Sequence, residues 1–229
     1  MTLTRRLAFA LFIGLGGLAV LVGLGLWQMQ RLEWKEALIA DLEARLSQPA
    51  IVVSGNESVG DDNLRRARAV GRFVDAEPAR FLTSLKPHGP GHRLISAFQL
   101  EQGERILVDR GYLPDHTPLP APPTGPVELT GALQWPNEIS SFTPDPNLAE
   151  RLWFARDVPS LAAALGTRPV MLVLDAQPGA SPTDWPKPMP VSVDLPNDHL
   201  GYAVTWFSLA AIWLVMTALL MRGRIGSAD

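Results

Sequence analysis

Cysteine is absent from all 229 residues. That excludes a disulfide framework, a thiolate zinc site, an iron–sulfur cluster, covalent c-type haem attachment and a cysteine nucleophile. Charge is sparse and nearly balanced, 20 Lys+Arg against 23 Asp+Glu, for a net −3. With no basic stripe along the chain, no nucleic-acid partner is expected. The six Met are scattered, which argues against a Met-rich copper site. Proline is missing from the first 48 and the last 33 residues, and all 21 fall between Pro49 and Pro196. The two ends are therefore free of the residue that breaks helices.

Hydrophobicity is concentrated at those same ends. Leu7–Leu26 is a run of 20 residues without a charge, and Gly201–Met221 is another of 21. Each matches the ~20 residues that carry a helix across a hydrocarbon core of roughly 30 Å. The expected organisation is a first transmembrane helix at 7–28, an external domain at 29–197 and a second transmembrane helix at 198–221. A cleaved signal peptide is the competing reading of the first run, because Arg5 and Arg6 precede it. The run exceeds the roughly 7–15 apolar residues of such a segment. Its end, Leu26-Trp27-Gln28-Met29-Gln30-Arg31, offers no small-x-small cleavage site.

Arg5, Arg6, Arg222 and Arg224 are the only basic residues outside Arg31–Asp198. That middle segment carries the other 16 Lys+Arg and 22 acids, a local net charge of −6. Positive flanks stay cytoplasmic, whereas long domains translocate largely regardless of charge. Both termini are thus expected in the cytoplasm, with the domain outside. Only six residues precede the first span, which leaves no room for a transit peptide and favours a bacterial inner membrane and a periplasmic domain.

Within the middle segment, short β-branched or aromatic runs bounded by Gly, Pro or Asp predict strands at Arg68–Phe73, Arg80–Leu85, Leu94–Leu100, Arg105–Arg110, Val127–Leu133 and Val170–Ala176. Gln102-Gly103-Glu104 predicts a tight hairpin. Trp34, Leu38, Leu42 and Leu46 recur every four residues and continue the first span as an amphipathic helix. A second helix is expected at Pro159–Leu165, capped by Asp157 and stopped by Gly166. Pro114–Pro126 reads as a long loop, and Pro178–Pro196 as a semi-rigid connector into the second span. The fold class is a membrane α+β protein: two transmembrane helices flanking a small, mostly antiparallel sheet or barrel with one or two helices.

A catalytic case is thin. His88 and His92 have the spacing of a metal pair on a helix, but Gly89, Pro90 and Gly91 forbid one. They read, with His116, as solvated loop histidines. No nucleophile elbow occurs. Gly14-Leu-Gly16-Gly-Leu-Ala19 fits a dinucleotide fingerprint only formally, since it lies inside a membrane span with no preceding strand. Close packing of helices through Gly14, Gly17, Gly23, Ala203 and Ala210 is the better account. His199 stands apart. With Asn197 as its expected cap, the second span places His199, Tyr202, Ala203 and Trp206 on one face, and Ala210 and Trp213 continue it. An imidazole above a small residue and aromatics suits a flat amphipathic ring, with His199 as axial ligand to a haem iron and Ala203 leaving space. An interfacial aromatic belt explains the same residues without a ligand.

Several segments resemble the surfeit locus protein one family of cytochrome c oxidase assembly factors. Leu24-Gly-Leu-Trp27-Gln28-x-x-Arg31-x-x-Trp34-Lys35 is similar to its first-span signature, and His199-Leu-x-Tyr202-Ala203-x-Thr205-Trp206-Phe207 to its second. Leu107-Val108-Asp109-Arg110-Gly111-Tyr112-Leu113-Pro114 resembles an Asn-Arg-Gly-Trp-Val-Pro element, with Asp for Asn and Tyr for Trp. Trp153-Phe-Ala-Arg156-Asp157 resembles a Trp-x-x-Arg-Asp element. The resemblance implies a non-enzymatic factor that holds haem a on its way to the oxidase's catalytic subunit, with the haem a synthesis machinery and the lipid bilayer as further partners. It maps the family's histidine onto His199 and its tryptophans onto Trp27 and Trp206. Two other classes remain open: a scaffold that clamps an oxidase subunit without touching haem, and a membrane-anchored periplasmic enzyme.

Overall fold

The computed structural model describes residues 3–74, 77–179, 181 and 183–225. In chain order its elements are α1 (Leu3–Leu46), β1 (Ile51–Val52), α2 (Val59–Asp62), β2 (Arg66–Phe73), β3 (Ala79–Leu85), β4 (Gly89–Leu100), β5 (Arg105–Pro114), β6 (Val127–Leu133), β7 (Leu152–Trp153), α3 (Val158–Leu165), β8 (Met171–Leu174) and α4 (His199–Ile225). They group into two compact units, residues 1–41 with 194–229 and residues 42–193. The first is a helix pair and the second a β domain, which is the α+β class that the sequence predicts.

All six expected strands form. β4 begins five residues early, at Gly89, and β5 runs on to Pro114. The strand order is β1-β2-β6-β8-β5-β4-β3-β7, and a further β2–β4 pairing closes five of them into a barrel. β4 is long enough to serve both neighbours. Its first half pairs with β3, and Phe98, Gln99 and Leu100 pair with Phe73, Arg72 and Gly71 of β2. Closure requires glycine at 71, because a Cβ there would lie 2.0 Å from the Gln99 carbonyl oxygen.

Alternation along β5 shows how the core divides. Ile106 and Val108 point into the barrel with Phe98, Leu129 and Leu172, while Leu107 faces outward beneath α3 with Ile95, Leu161 and Val173. Both faces of β5 are apolar because both are covered. The α3 ends are as expected: Asp157 accepts from the Ser160 N–H at 3.2 Å, and Gly166 closes the helix in the left-handed region at φ 63°. The Gln102-Gly103-Glu104 hairpin also forms, with the Leu100 N–H bonded to the Glu104 carbonyl at 2.8 Å.

Part of the Pro-rich stretch expected as a connector is docked on the β domain. Lys187 bridges to Tyr112 of β5, Arg93 reaches the Met189 carbonyl, and Val191 packs on the outer core. His92 also departs from its expectation as a solvated loop residue. It lies on β4 with Nδ1 3.0 Å from Asp115 Oδ1. Pro90 is tolerated because it stands at the start of the strand, where a missing N–H costs the ladder least, and its carbonyl accepts the Tyr112 hydroxyl at 3.2 Å. His88 and His116 are exposed in turns.

In the helical unit, α1 and α4 contain segments long and apolar enough to cross a membrane, Ala8–Leu46 and His199–Arg222, with only 17% and 6% of their most apolar windows buried. A core helix of a water-soluble domain would hide such a surface. The helices run antiparallel, since contacts progress from Gly14 against Thr217 through Gly17 against Trp213 to Gly25 against Phe207. A Cβ at any of these glycines would fall 2.3–2.6 Å from its neighbour. Gly23, expected in this seam, has nothing within 4 Å; Gly25, two residues on, takes the place because it is in phase with 14 and 17. The Trp213 indole donates to the Gly14 carbonyl at 2.8 Å, satisfying a polar group that lipid cannot.

Candidate functional site at the helix pair

The apolar run of α1 ends at Leu26, and the next residue in phase with Gly14, Gly17 and Gly25 is Gln28. The structure turns Gln28 onto α4, where it is 8% exposed and its Oε1 lies 2.8 Å from His199 Nδ1. Trp27 sits about 100° further around the helix and is 54% exposed. Sequence reasoning passed over Gln28 because it stands beside a conspicuous tryptophan. Its period with the glycine stripe was the available signal.

His199 is the first residue of α4, so the cap position falls to Asp198, whose carbonyl accepts the Tyr202 N–H at 3.2 Å. The cap expected from Asn197 is not made. Its Oδ1 is buried without a hydrogen-bond partner among the described residues. Ala203 is 1% exposed and Ala210 4%. Ala203 therefore serves the approach of the helices, not an open space for a ring. Tyr202, one residue before it, is 58% exposed, and Trp206 is half-buried.

These placements define what the site can do. An amide oxygen facing Nδ1 accepts the ring N–H, which puts the imidazole proton on Nδ1 and leaves the lone pair on Nε2. Metal-bound histidines commonly have this arrangement, with the non-ligating nitrogen held by a hydrogen bond that fixes tautomer and orientation. Nε2 of His199 has no hydrogen-bond partner among the described residues. Aromatic surface is available at Trp27, Tyr202 and Trp206. The donor set present, one imidazole nitrogen beside aromatic surface, fits a haem that His199 would hold.

In the β domain Asp109 is 1% exposed and saturated: Arg93 donates to its Oδ2 from Nε and Nη2, each at 2.7 Å, and the Gly111 N–H donates to Oδ1 at 2.9 Å. Arg156 donates from Nε to Glu138 Oε1 at 3.0 Å. Burial alone would raise the Glu138 pKa, but the Arg156 hydrogen bonds and charge outweigh it and hold the carboxyl below its usual range. His92, with Asp115, lines a cleft of about 420 Å³. Burial depresses its pKa; Asp115 opposes that shift and Arg80 adds to it. Among the described residues no hydroxyl is bonded to His92, so a nucleophile–base pair is not formed there. Trp153, in the second motif of this domain, donates its indole N–H to Ser160 at 3.1 Å, a structural tie of β7 to α3.

Comparison with known proteins agrees with the motif reading. The profile of the SURF1 family matches residues 15–211. A SURF1-like protein of Monosiga brevicollis is 31% identical over 223 residues, covering 89% of this chain and 84% of its own. One of Drosophila melanogaster is 32% identical, covering 84% of this chain and 71% of its own. Surfeit locus protein 1 of Homo sapiens is 28% identical, covering 82% and 70%. The match runs through both helices and the β domain between them, and the chain belongs to the SURF1 family.

Proposed function

We propose that this chain is a membrane-anchored assembly factor for haem–copper cytochrome c oxidase, which holds haem a at the end of its helix pair for insertion into the oxidase's catalytic subunit. The observation that carries this reading is the 2.8 Å contact between Gln28 and His199. Bound haem a would supply an iron, and His199 would hold it through a neutral imidazole nitrogen. Gln28 keeps the His199 proton on Nδ1 and aims Nε2 away from α1. Ala203 lets the helices approach closely enough for Gln28 to reach. Trp27, Tyr202 and Trp206 give aromatic surface to the ring and its tail. No bond is made or broken by these residues, so the role is carriage and not catalysis. In this reading both termini lie in the cytoplasm of a bacterial inner membrane and the β domain in the periplasm, an orientation that the flanking arginines support. The partners are the lipid bilayer, the oxidase's catalytic subunit and the machinery that makes haem a.

Purification from cells that make haem A tests this reading. The protein is expected to carry a Soret band, which His199→Ala abolishes while the chain still inserts. His88→Ala, His92→Ala and His116→Ala are expected to retain it. A Soret-free wild-type protein would favour a scaffold that clamps an oxidase subunit. A full haem complement in His199→Ala would remove His199 from the site.

A further inference from the structure

The β4–β5 ladder breaks its register at one place: Leu94 pairs with Gly111 and Ile95 with Asp109, leaving Arg110 as the extra residue of a β-bulge. Bulges re-aim side chains, and this one is locked. Gly111 holds φ at 102°, and a Cβ there would lie 2.0 Å from the Lys187 carbonyl oxygen. Asp109 fixes the same turn through the Gly111 N–H. Following Ile106 and Val108, Arg110 continues the strand face that points into the barrel, and its guanidinium lies 5.4 Å from the centre of the Phe73 ring.

Arg110 is only 2% exposed, and its Nε and Nη1 are buried with no hydrogen-bond partner among the described residues. Two nearby carboxylates among the described residues are committed elsewhere. Asp109 is held by Arg93, and Asp175, just past β8, by Arg66 at 2.6–2.8 Å. Ser96, opposite Val108 and so on the same inner face, has a buried hydroxyl that is also without a partner among the described residues. Burial pushes the guanidinium pKa down to about 10, which still leaves it charged at neutral pH. A buried cation with open N–H groups, in a bulge that Asp109 and the Lys187 carbonyl hold, is costly as a merely structural feature.

We propose that the Arg110 bulge binds a small oxyanion, a single carboxylate or phosphate group, whose oxygens complete the bonds left open on the guanidinium and the Ser96 hydroxyl. Guanidinium–oxyanion hydrogen bonds are charge-assisted, and they gain strength where water is excluded. The site lies wholly in the β domain and is independent of the haem reading.

The full-length protein in detergent tests it, with thermal unfolding of the β domain followed by far-ultraviolet circular dichroism. Sodium phosphate and sodium acetate are titrated separately, with chloride holding ionic strength constant. The wild type is expected to gain about 3–6 °C once the effective probe is tenfold above its dissociation constant. A response to acetate alone identifies a carboxylate, and one to phosphate alone a phosphate group. Arg110→Met, which keeps the bulk and removes the charge, is expected to lose the response; Ser96→Ala is expected to weaken it several-fold and guards against a variant that fails to fold. His199→Ala is expected to respond as the wild type does. No response of the wild type to either probe, or an equal response from Arg110→Met, would overturn the site.

Discussion

In the β domain the buried carboxylate of Asp109 accepts bonds from Arg93 and from the Gly111 backbone, and its two oxygens are fully used. In the helix pair the matching polar contact, Gln28 with His199, joins two uncharged side chains and engages only one of the imidazole nitrogens. The contrast separates polar groups that specify a backbone from those that offer something to a ligand. Asp109 fixes a bulge. His199 is aimed, and its second nitrogen is left over. The two units also pack by different rules. Barrel side chains interlock around Phe98 and Leu172, whereas the helices meet where the side chains of Thr217, Trp213 and Phe207 lie against the backbone of Gly14, Gly17 and Gly25.

The contrast in packing gives the largest expected effect, since it is all or none. Thr217 Cβ lies 3.4 Å from where a Cβ on Gly14 would be, close to disulfide geometry. With no native cysteine, Gly14→Cys with Thr217→Cys is expected to cross-link within one chain on mild oxidation. Gly16→Cys with Thr217→Cys is not, because Gly16 has nothing within 4 Å. Gel mobility before and after reduction reads both.

Next comes the saturated carboxylate. Asp109→Leu leaves Arg93 buried and uncompensated, so the β domain is expected to lose about 3–5 kcal/mol in urea unfolding. The haem spectrum of the surviving folded protein is expected to be unchanged. Gln28→Leu should do the reverse: little change in stability, with haem affinity falling about 10–100-fold in a titration. Gln28→Glu, which keeps an acceptor facing Nδ1, is expected to recover most of it.

The smallest effect is one of pH. Because burial lowers the folded-state pKa of His92, the unfolded chain binds the proton first as pH falls below about 6.5. Stability carried by neutral His92 is therefore complete above that pH and declines below it, toward the lower folded-state pKa. His92→Gln is expected to flatten this part of the profile, read as the midpoint of unfolding between pH 7.5 and about 5.5. Glu138 acts lower on the scale. Its depressed pKa leaves its contribution intact above the usual carboxylate range and removes it only in stronger acid.

Much of this was legible before any coordinates. The two spans announce themselves by length and lack of charge, and the six main strands by short β-branched or aromatic runs between Gly, Pro and Asp. The α3 helix shows both its caps. Other features rest on contacts between residues distant in sequence. β1 and β7 are two residues each and exist only as partners of β2 and β3. Barrel closure depends on Gly71 facing Gln99, and a glycine in a strand reads equally well as a breaker. Gly-Pro-Gly before His92 suggested a loop, yet β3 supplies a partner that holds it extended. At the candidate site the imidazole, tyrosine and tryptophans were visible by residue type. Gln28 was not, because its meaning lies in helical phase and in what crosses it 171 positions away.

The central claim is that Nε2 of His199 is a ligand nitrogen held ready by Gln28. His199→Gly, which deletes the ring and leaves its space, tests that most directly in a haem a titration followed through the Soret band. The account predicts weak binding by this variant, restored by added imidazole and not by an equal concentration of a hindered analogue such as 2-methylimidazole. Full-strength binding by His199→Gly without imidazole would contradict it.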